Sequence, residues 1–135
     1  MSAVVIDGSA ALALVLTDEA GEGSAVAIFS RSTTVFAPAH WGLEVANGIL
    51  MAERRKRITA ADAAAALNFI RHLPVAVDEE TTARSWAETS GLARRYDLTS
   101  YDAAYLELAM RRRAALATFD QALRKAAVSA GVRLV

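Results

Sequence analysis

The chain has 135 residues, a hydrophobic fraction of 54%, fifteen acidic against fifteen basic side chains and no cysteine. This size and composition predict one domain, residues 1–135, with an alanine-rich core of packed helices. The missing cysteines exclude disulfides and zinc–thiolate sites, and the zero net charge gives no global electrostatic case for nucleic-acid binding.

The first predicted unit is a short strand, Ala3 to Ile6, which ends at Asp7 and leads into a helix capped by Ser9. A carboxylate just past a buried strand is a common ligand position in open α/β sheets; the other interpretation is a turn aspartate bonded to nearby backbone. The apolar run Ala10 to Leu16 is too short to span a bilayer and lacks the basic start of a signal peptide. We therefore expect a cytoplasmic protein that does not contact membranes. A second helix is predicted over Ser24 to Ser30.

A second strand, Thr33 to Ala37, precedes a helix from about Pro38 to Arg54. Glu44 and Asn47 share a face of this helix because they are three residues apart, and their neighbours are apolar. If Glu44 is buried, its partner must come from elsewhere, as a cation or a distant side chain. An exposed helix glutamate is the alternative.

The middle of the chain shows structural signals only. A capping box, Thr59 to Asp62, opens a helix that runs to about His72, and Val75 to Val77 follows as a short strand. The acids at 78–80 suit the dipole of the next helix start, so we assign them structural roles. We expect Trp86 on that helix to be a core residue, and we assign the lone His40 near an earlier helix start a structural role rather than that of a ligand or base.

Residues 98–120 form the unit on which the prediction depends. Thr99 or Ser100 caps a helix with Asp102 in its first turn, a strand follows over Ala114 to Ala117, and Thr118 and Asp120 come where that strand ends. Asp102 alone also fits a capping box. A last helix, about 121–130, is closed by Gly131, and residues 132–135 are predicted as an edge strand.

Short apolar strands that alternate with helices predict a mainly parallel sheet with helices on both faces. Ligands of such sheets bind outside the carboxyl ends of the strands, where Asp7, Glu44, Asp102 and Asp120 would meet. Two carboxylates about 5 Å apart repel by roughly 3 kcal/mol at an effective dielectric constant of about 20. Oxygen ligands without cysteine or histidine select Mg²⁺ or Mn²⁺, and such an ion can activate water for attack on a phosphodiester.

The ordered set of motifs resembles the PIN-domain family, and within it the VapC-type toxin ribonucleases, over essentially the whole chain. Each motif is weak alone, but their order and spacing are fairly specific. The motifs are Asp7-x-Ser9, Glu44-x-x-Asn47, Tyr101-Asp102-Ala103 with Tyr105 and Leu106, and Thr118-x-Asp120.

The resemblance implies a three-layer α/β/α fold with a five-stranded parallel sheet in the order 3-2-1-4-5. It implies an RNA endonuclease that uses Mg²⁺, with Mn²⁺ as a substitute, a small VapB-like antitoxin as partner, and a homodimer. The metal-binding acids would be Asp7, Glu44, Asp102 and Asp120, supported by Ser9, Asn47 and Thr118.

One departure from the family pattern, the role of the basic clusters and two alternative functions stay open. The turn before Leu98 often carries glycine in this family but here carries Asp97, which would change a helix end or add an acid at the rim. The arginine-rich basic segments at 54–57, 94–95 and 111–113 fit either of two roles, which are to complement the ends of helices or to bind phosphate. A receiver-like or degenerate PIN binding module without nuclease activity shares the architecture. A receiver, however, would need adjacent acids after strand one, where Gly8 follows Asp7, and a late strand-end lysine, whereas Lys125 falls inside a predicted helix.

Overall fold

The structure, a computed structural model, describes residues 2–16, 27–30 and 34–135. Its strands are β1 (Ala3–Ile6), β2 (Thr34–Ala37), β3 (Val75–Val77) and β4 (Ala115–Ala117). Its helices are α1 (Gly8–Ala13), α2 (described over 27–30), α3 (Trp41–Arg54), α4 (Ala60–Arg71), α5 (Thr81–Arg84), α6 (Ser90–Tyr96), α7 (Ser100–Arg112) and α8 (Gln121–Ser129). A π-helical turn, Ser85–Thr89, joins α5 to α6. The predicted starts of the second helix at Ser24 and the second strand at Thr33 lie outside the described residues.

The four strands form one parallel sheet in the order β3-β2-β1-β4, so the predicted α/β fold class is confirmed. The prediction of five full strands is wrong for the described residues, because residues 132–135 make only one parallel bridge, Leu134 to Leu116. Two backbone hydrogen bonds hold it, from Leu116 N to Arg133 O at 2.8 Å and from Val135 N to Leu116 O at 3.1 Å. The bridge lies beside β4, the position that the order 3-2-1-4-5 gives the fifth strand. An edge segment has a neighbour on one side only, which accounts for its short pairing.

Helix α7 is the central helix of the fold. It has seven consecutive buried residues, Ala103–Ala109, and it contacts β1, β4, α6 and α8. A helix that is apolar on nearly all sides has to be enclosed by other elements, which fixes its position firmly. The first turn of α7, which carries Asp102, is therefore held in place by the core.

Side-chain caps set the starts of four helices. Asp7 rather than the predicted Ser9 caps α1, since its Oδ1 accepts a hydrogen bond from Ala10 N at 2.8 Å. Thr59 and Asp62 form the predicted capping box, and Thr99 caps α7 through Asp102 N at 3.1 Å. Asp120 caps α8 through Leu123 N at 2.9 Å. Two of the four predicted metal-binding acids thus also hold helix starts.

The structure corrects the prediction for Trp86 and explains Asp97. Trp86 is 81% exposed, because the π-helical turn that contains it changes the helical phase and turns the ring to solvent. Asp97 ends α6 in the left-handed conformation, with a φ of 55°. Glycine favours that conformation and aspartate tolerates it, so the helix still ends where a glycine would end it.

A buried ion-pair cluster joins the end of β3 to α7; we call Asp78, Glu107 and Arg111 the arginine cluster. Arg111 donates two hydrogen bonds to Asp78, at 3.0 and 2.7 Å, and two to Glu107, at 2.9 and 3.0 Å. This use of Arg111 removes it from the candidate phosphate-binding arginines. Asp78 is structural as predicted, although through this pairing rather than through the helix dipole. No helix in the described part of the chain is long and apolar enough to cross a lipid bilayer.

Candidate active site

Four chain segments bring the predicted acids to the carboxyl edge of the sheet. Asp7 follows β1, Asp120 follows β4, and Glu44 and Asp102 lie in the first turns of α3 and α7. Because β1 and β4 are paired neighbours, with Ile6 opposite Ala117, the residues just after them are adjacent. The topology therefore juxtaposes residues that are more than one hundred positions apart in sequence.

Asp7 is buried at the centre of a hydrogen-bond network. Its Oδ1 accepts from Ser9 Oγ and from Ala10 N, both at 2.8 Å, and its Oδ2 accepts a short bond from the Thr118 hydroxyl. Burial nevertheless raises the pKa of Asp7, because desolvation outweighs these hydrogen bonds and the nearby charge of Asp120 adds to it. The carboxylate is thus held in one orientation, and it forms no ion pair with any basic residue in the described ranges.

Ser9 and Thr118, two predicted supporting residues, connect Asp7 to the segment that carries Asp120. Ser9 Oγ accepts from Phe119 N at 2.9 Å, and Thr118 Oγ1 accepts from Asp120 N at 3.0 Å. Thr118 is buried, and these bonds leave its hydroxyl little freedom to turn. Both residues act on the backbone around Asp120 as well as on the Asp7 carboxylate.

Glu44 is partly buried and finds its partner in a tyrosine. The Tyr105 hydroxyl donates a hydrogen bond to Glu44 Oε1 at 3.0 Å. The distant partner that the sequence requires for a buried Glu44 is therefore a neutral side chain. Burial raises the pKa of Glu44, and the charges of Asp7 and Asp102 raise it further. A Cβ at Gly8 would lie 2.2 Å from Glu44 Oε1, so only glycine leaves room for this carboxylate.

Asp102 is electrostatically coupled to the other acids of the site. Its pKa is raised by burial first and then by the charges of Asp120 and Asp7. The acids on four separate segments therefore act on one another across the same region, as the parallel sheet predicts.

No lysine or arginine of the described residues forms an ion pair with any of these four acids. Among the described residues, the one basic side chain within ion-pair distance of these acids is that of His40, whose Nε2 lies 4.0 Å from Glu44 Oε2. Burial lowers the pKa of His40, so this imidazole is mainly neutral at pH 7. His40 Nε2 also lies 3.1 Å from the carbonyl oxygen of Tyr101. Among the described residues, no charged basic side chain therefore offsets the repulsion among the carboxylates.

The donor chemistry of the site suits a hard divalent cation. Asp7, Glu44 and Asp102 have raised pKa values, and no lysine or arginine of the described residues pairs with them. A divalent cation would stabilise their charged forms, and carboxylate oxygens match Mg²⁺ or Mn²⁺. As their side chains stand, no three His, Asp or Glu residues in the described ranges are arranged as a finished metal site. A bound ion would have to draw the carboxylates closer together.

Comparison with known proteins decides the family. The family model described as PIN domain matches residues 4–129 of the chain. The chain belongs to the PIN domain family. Ribonuclease VapC12 of Mycobacterium tuberculosis is 36% identical over 110 residues, which cover 78% of this chain and 78% of that protein.

Solved structures show the same PIN fold at low sequence identity. VapC20 of Mycobacterium tuberculosis, described as a sarcin–ricin loop cleaving toxin, matches with a TM-score of 0.66, 19% identity and 98% of each chain covered. FitAcB of Neisseria gonorrhoeae matches with a TM-score of 0.63 and 15% identity, over 97% of this chain and 95% of that chain. At these identities the likeness establishes the fold.

Asn47 is the one predicted site residue of this PIN domain that the structure leaves apart. It lies on α3 one turn after Glu44, is exposed, and makes no hydrogen bond to the four acids in the described part of the chain. Sequence reasoning missed three contributors: Tyr105, His40 and Gly8. Tyr105 and Asp102 are three residues apart on α7, a spacing that places both on one side of a helix and could have pointed to Tyr105. The role of Gly8 depends on a tertiary contact and gives no such signal.

Proposed function

We propose that this PIN-domain ribonuclease is a magnesium-dependent endonuclease that cuts RNA at the site formed by Asp7, Glu44, Asp102 and Asp120. The observation that carries the proposal is the convergence of acids from four segments, of which Asp7, Glu44 and Asp102 have raised pKa values and none pairs with a lysine or arginine of the described residues. Mn²⁺ would substitute for Mg²⁺, because both prefer oxygen ligands. The relation to Ribonuclease VapC12 supports RNA as the substrate.

The mechanism divides the work between the ion and the chain. When bound, Mg²⁺ would polarise phosphate oxygens and lower the pKa of a water molecule bound to it. The four acids would hold the ion, and Thr118, Ser9 and the α1 backbone would keep the Asp7 carboxylate in one orientation. The Tyr105 hydroxyl would do the same for Glu44. Such outer hydrogen bonds commonly change metal affinity or activity by about 10–100-fold.

The test is an Asp102→Asn variant assayed on total RNA with cut sites mapped by sequencing. Cleavage should fall by more than about 100-fold, because a lost ligand should matter more than a lost supporting bond. Asp62→Asn, at an exposed acid of the α4 capping box, is the matched control and should cut like the wild type. Circular dichroism should show both variants folded. Wild-type cleavage by folded Asp102→Asn would refute the assignment.

The same proposal makes the protein the toxin of a toxin–antitoxin pair, with a small antitoxin that covers the site, and a homodimer. The similarity to VapC12 and to the toxin VapC20 supports this assignment. Co-expression with the small protein encoded by the neighbouring gene should yield one complex that no longer cuts RNA. Light scattering on the free protein should give twice the chain mass of 14.3 kDa. A neighbour that neither binds nor inhibits would refute the pairing.

A further inference from the structure

Two exposed aromatic side chains stand directly before two of the acids. Tyr101 precedes Asp102 and is 67% exposed; Phe119 precedes Asp120 and is 45% exposed. Core packing does not account for rings left this open to solvent. Their position at the rim of the acids suggests contact with a ligand of that site.

On one side of the site, Tyr101 belongs to a cluster of rings. The His40 ring lies 5.9 Å from the Tyr101 ring and 5.0 Å from the Tyr105 ring, measured between centroids. His40 Nε2 lies 3.1 Å from the Tyr101 carbonyl oxygen and 4.0 Å from Glu44 Oε2. The exposed Tyr101 ring is therefore backed by a second ring and held beside Glu44 and Asp102.

On the other side, Phe119 is fixed through its backbone. Phe119 N donates to Ser9 Oγ at 2.9 Å, and Ser9 in turn bonds Asp7. Phe119 also lines a cavity of about 200 Å³ together with Thr118, Ala10 and Arg124. Arg124 Nη1 donates to the Thr118 carbonyl oxygen at 2.8 Å, so a cation lies on this flank.

The charges near the rings fit a polyanion. Arg124 lies on the Phe119 flank, while exposed Arg94 and Arg95 close α6, which ends at Tyr96, just before α7 begins with the turn that carries Tyr101. Aromatic rings stack on any unpaired base, whereas bases inside a duplex are already stacked and hidden. Rings, cations and an acid site in one region suit a single-stranded nucleic acid better than a peptide.

We propose that Tyr101 and Phe119 form a two-sided stacking platform, on which bases of single-stranded RNA rest at either side of the phosphate held by the acids. This inference rests on the proposed nuclease function and assigns two side chains to the binding of its RNA. The stacking tolerates any base, so the platform sets strandedness and register rather than sequence.

The test measures binding of a fluorescent, mixed-sequence single-stranded RNA of twelve nucleotides in the presence of Mn²⁺. The Asp7→Asn background keeps the RNA uncut. Tyr101→Ala and Phe119→Ala should each weaken the Kd by about tenfold, which is within the range for the loss of one stacked base. Tyr101→Trp should bind like the parent. Trp86→Ala and Phe69→Ala, at rings 81% and 51% exposed, are the matched controls and should not change the Kd.

A second arm uses the same oligonucleotide with abasic riboses. The parent should bind it about one hundredfold more weakly, because both stacked bases are lost, and Tyr101→Ala should cause no further loss. Equal Kd values for the parent and both alanine variants on intact RNA would overturn the platform, as would tighter binding of a duplex than of the single strand. Aromatic-dependent binding without cleavage by the wild type would instead refute the nuclease and leave the platform standing.

Discussion

The described part of the protein contains two groups of acids, of which one is paired with an arginine and the other is not. In the arginine cluster, Asp78 and Glu107 are buried against Arg111, which donates four hydrogen bonds to them. The pKa of Asp78 is lowered, chiefly by its hydrogen bonds from Arg111. In the site, Asp7, Glu44 and Asp102 have pKa values raised by burial and mutual repulsion. The aspartates of the two groups thus have opposite pKa shifts.

The comparison separates structural acids from functional ones by physical criteria. A buried carboxylate with an arginine is complete within the fold, while carboxylates that repel one another remain costly until a cation arrives. The fold keeps that unfavourable arrangement because the core around α7 and the caps at Asp7 and Asp120 hold the segments in place. The four site acids, which pair with no lysine or arginine of the described residues, are therefore the group expected to bind a ligand.

The largest effect is expected from removing the ion pairs of the arginine cluster. Arg111→Met leaves Asp78 and Glu107 buried without a cation and should lower the free energy of unfolding by about 3–5 kcal/mol. Arg94→Met, at an exposed arginine, is the matched control and should change it by less than about 0.5 kcal/mol. Urea denaturation measures both. A small loss for Arg111→Met would mean that the pair contributes little, and the contrast between the groups would lose its basis.

Steric displacement of Glu44 should disturb the arrangement of the four site acids. In Gly8→Ala the new Cβ meets Glu44 Oε1, the end of a flexible side chain, so the carboxylate moves and the fold survives. Cleavage should fall by about 100-fold, the scale associated with a misplacement of about 1 Å. Gly42→Ala, where a Cβ meets nothing within 4 Å, is the control and should keep full activity. Normal cleavage by Gly8→Ala would show that the Glu44 position does not matter.

Manganese should bind the four site acids and leave the arginine cluster unchanged. An ion that binds only the native state stabilises it by about 2.7 kcal/mol at a concentration of one hundred times Kd. Thermal melts should therefore shift upward for the wild type and for Arg94→Met, but much less for Asp102→Asn. No shift at millimolar Mn²⁺ would favour a PIN-fold binding module without nuclease activity.

Local signals predicted the fold class because they agreed with the global fold, whereas the strand order came from the resemblance to the PIN-domain family. The alternation of short apolar strands with helices predicts a parallel sheet, and the capping residues Thr59 and Thr99 mark helix starts correctly. Acids just after β1 and β4 were predictable site residues, because the edge of a parallel sheet gathers such positions. Their metal-binding roles stay predictions.

What the sequence could not predict depends on contacts between distant segments or on local irregularity. The partner of Glu44 is Tyr105, sixty-one residues later, and the partner of Asp78 is Arg111, thirty-three residues later. No periodicity encodes such pairs. Trp86 was misassigned because a single π-helical turn changes the side-chain direction, and the last strand shrank to a bridge at the sheet edge.

The smallest effect, and the finest test of the comparison, is the pH dependence of the arginine cluster. The folded-state pKa of Asp78 lies below its usual value of 3.8, so its stabilisation is complete above that value and is lost as the pH falls through the lower, folded-state pKa. The groups that face Asp78 are Arg111, which bonds both carboxylate oxygens, and the Thr81 hydroxyl at 3.0 Å. The difference in unfolding free energy between wild type and Asp78→Asn should therefore stay constant near neutral pH and narrow only in strong acid. Urea titrations at a series of pH values measure this difference, with Arg94→Met expected to parallel the wild type. A difference that stays constant into strong acid, or one that narrows already near neutral pH, would show that Arg111 does not lower the pKa of Asp78.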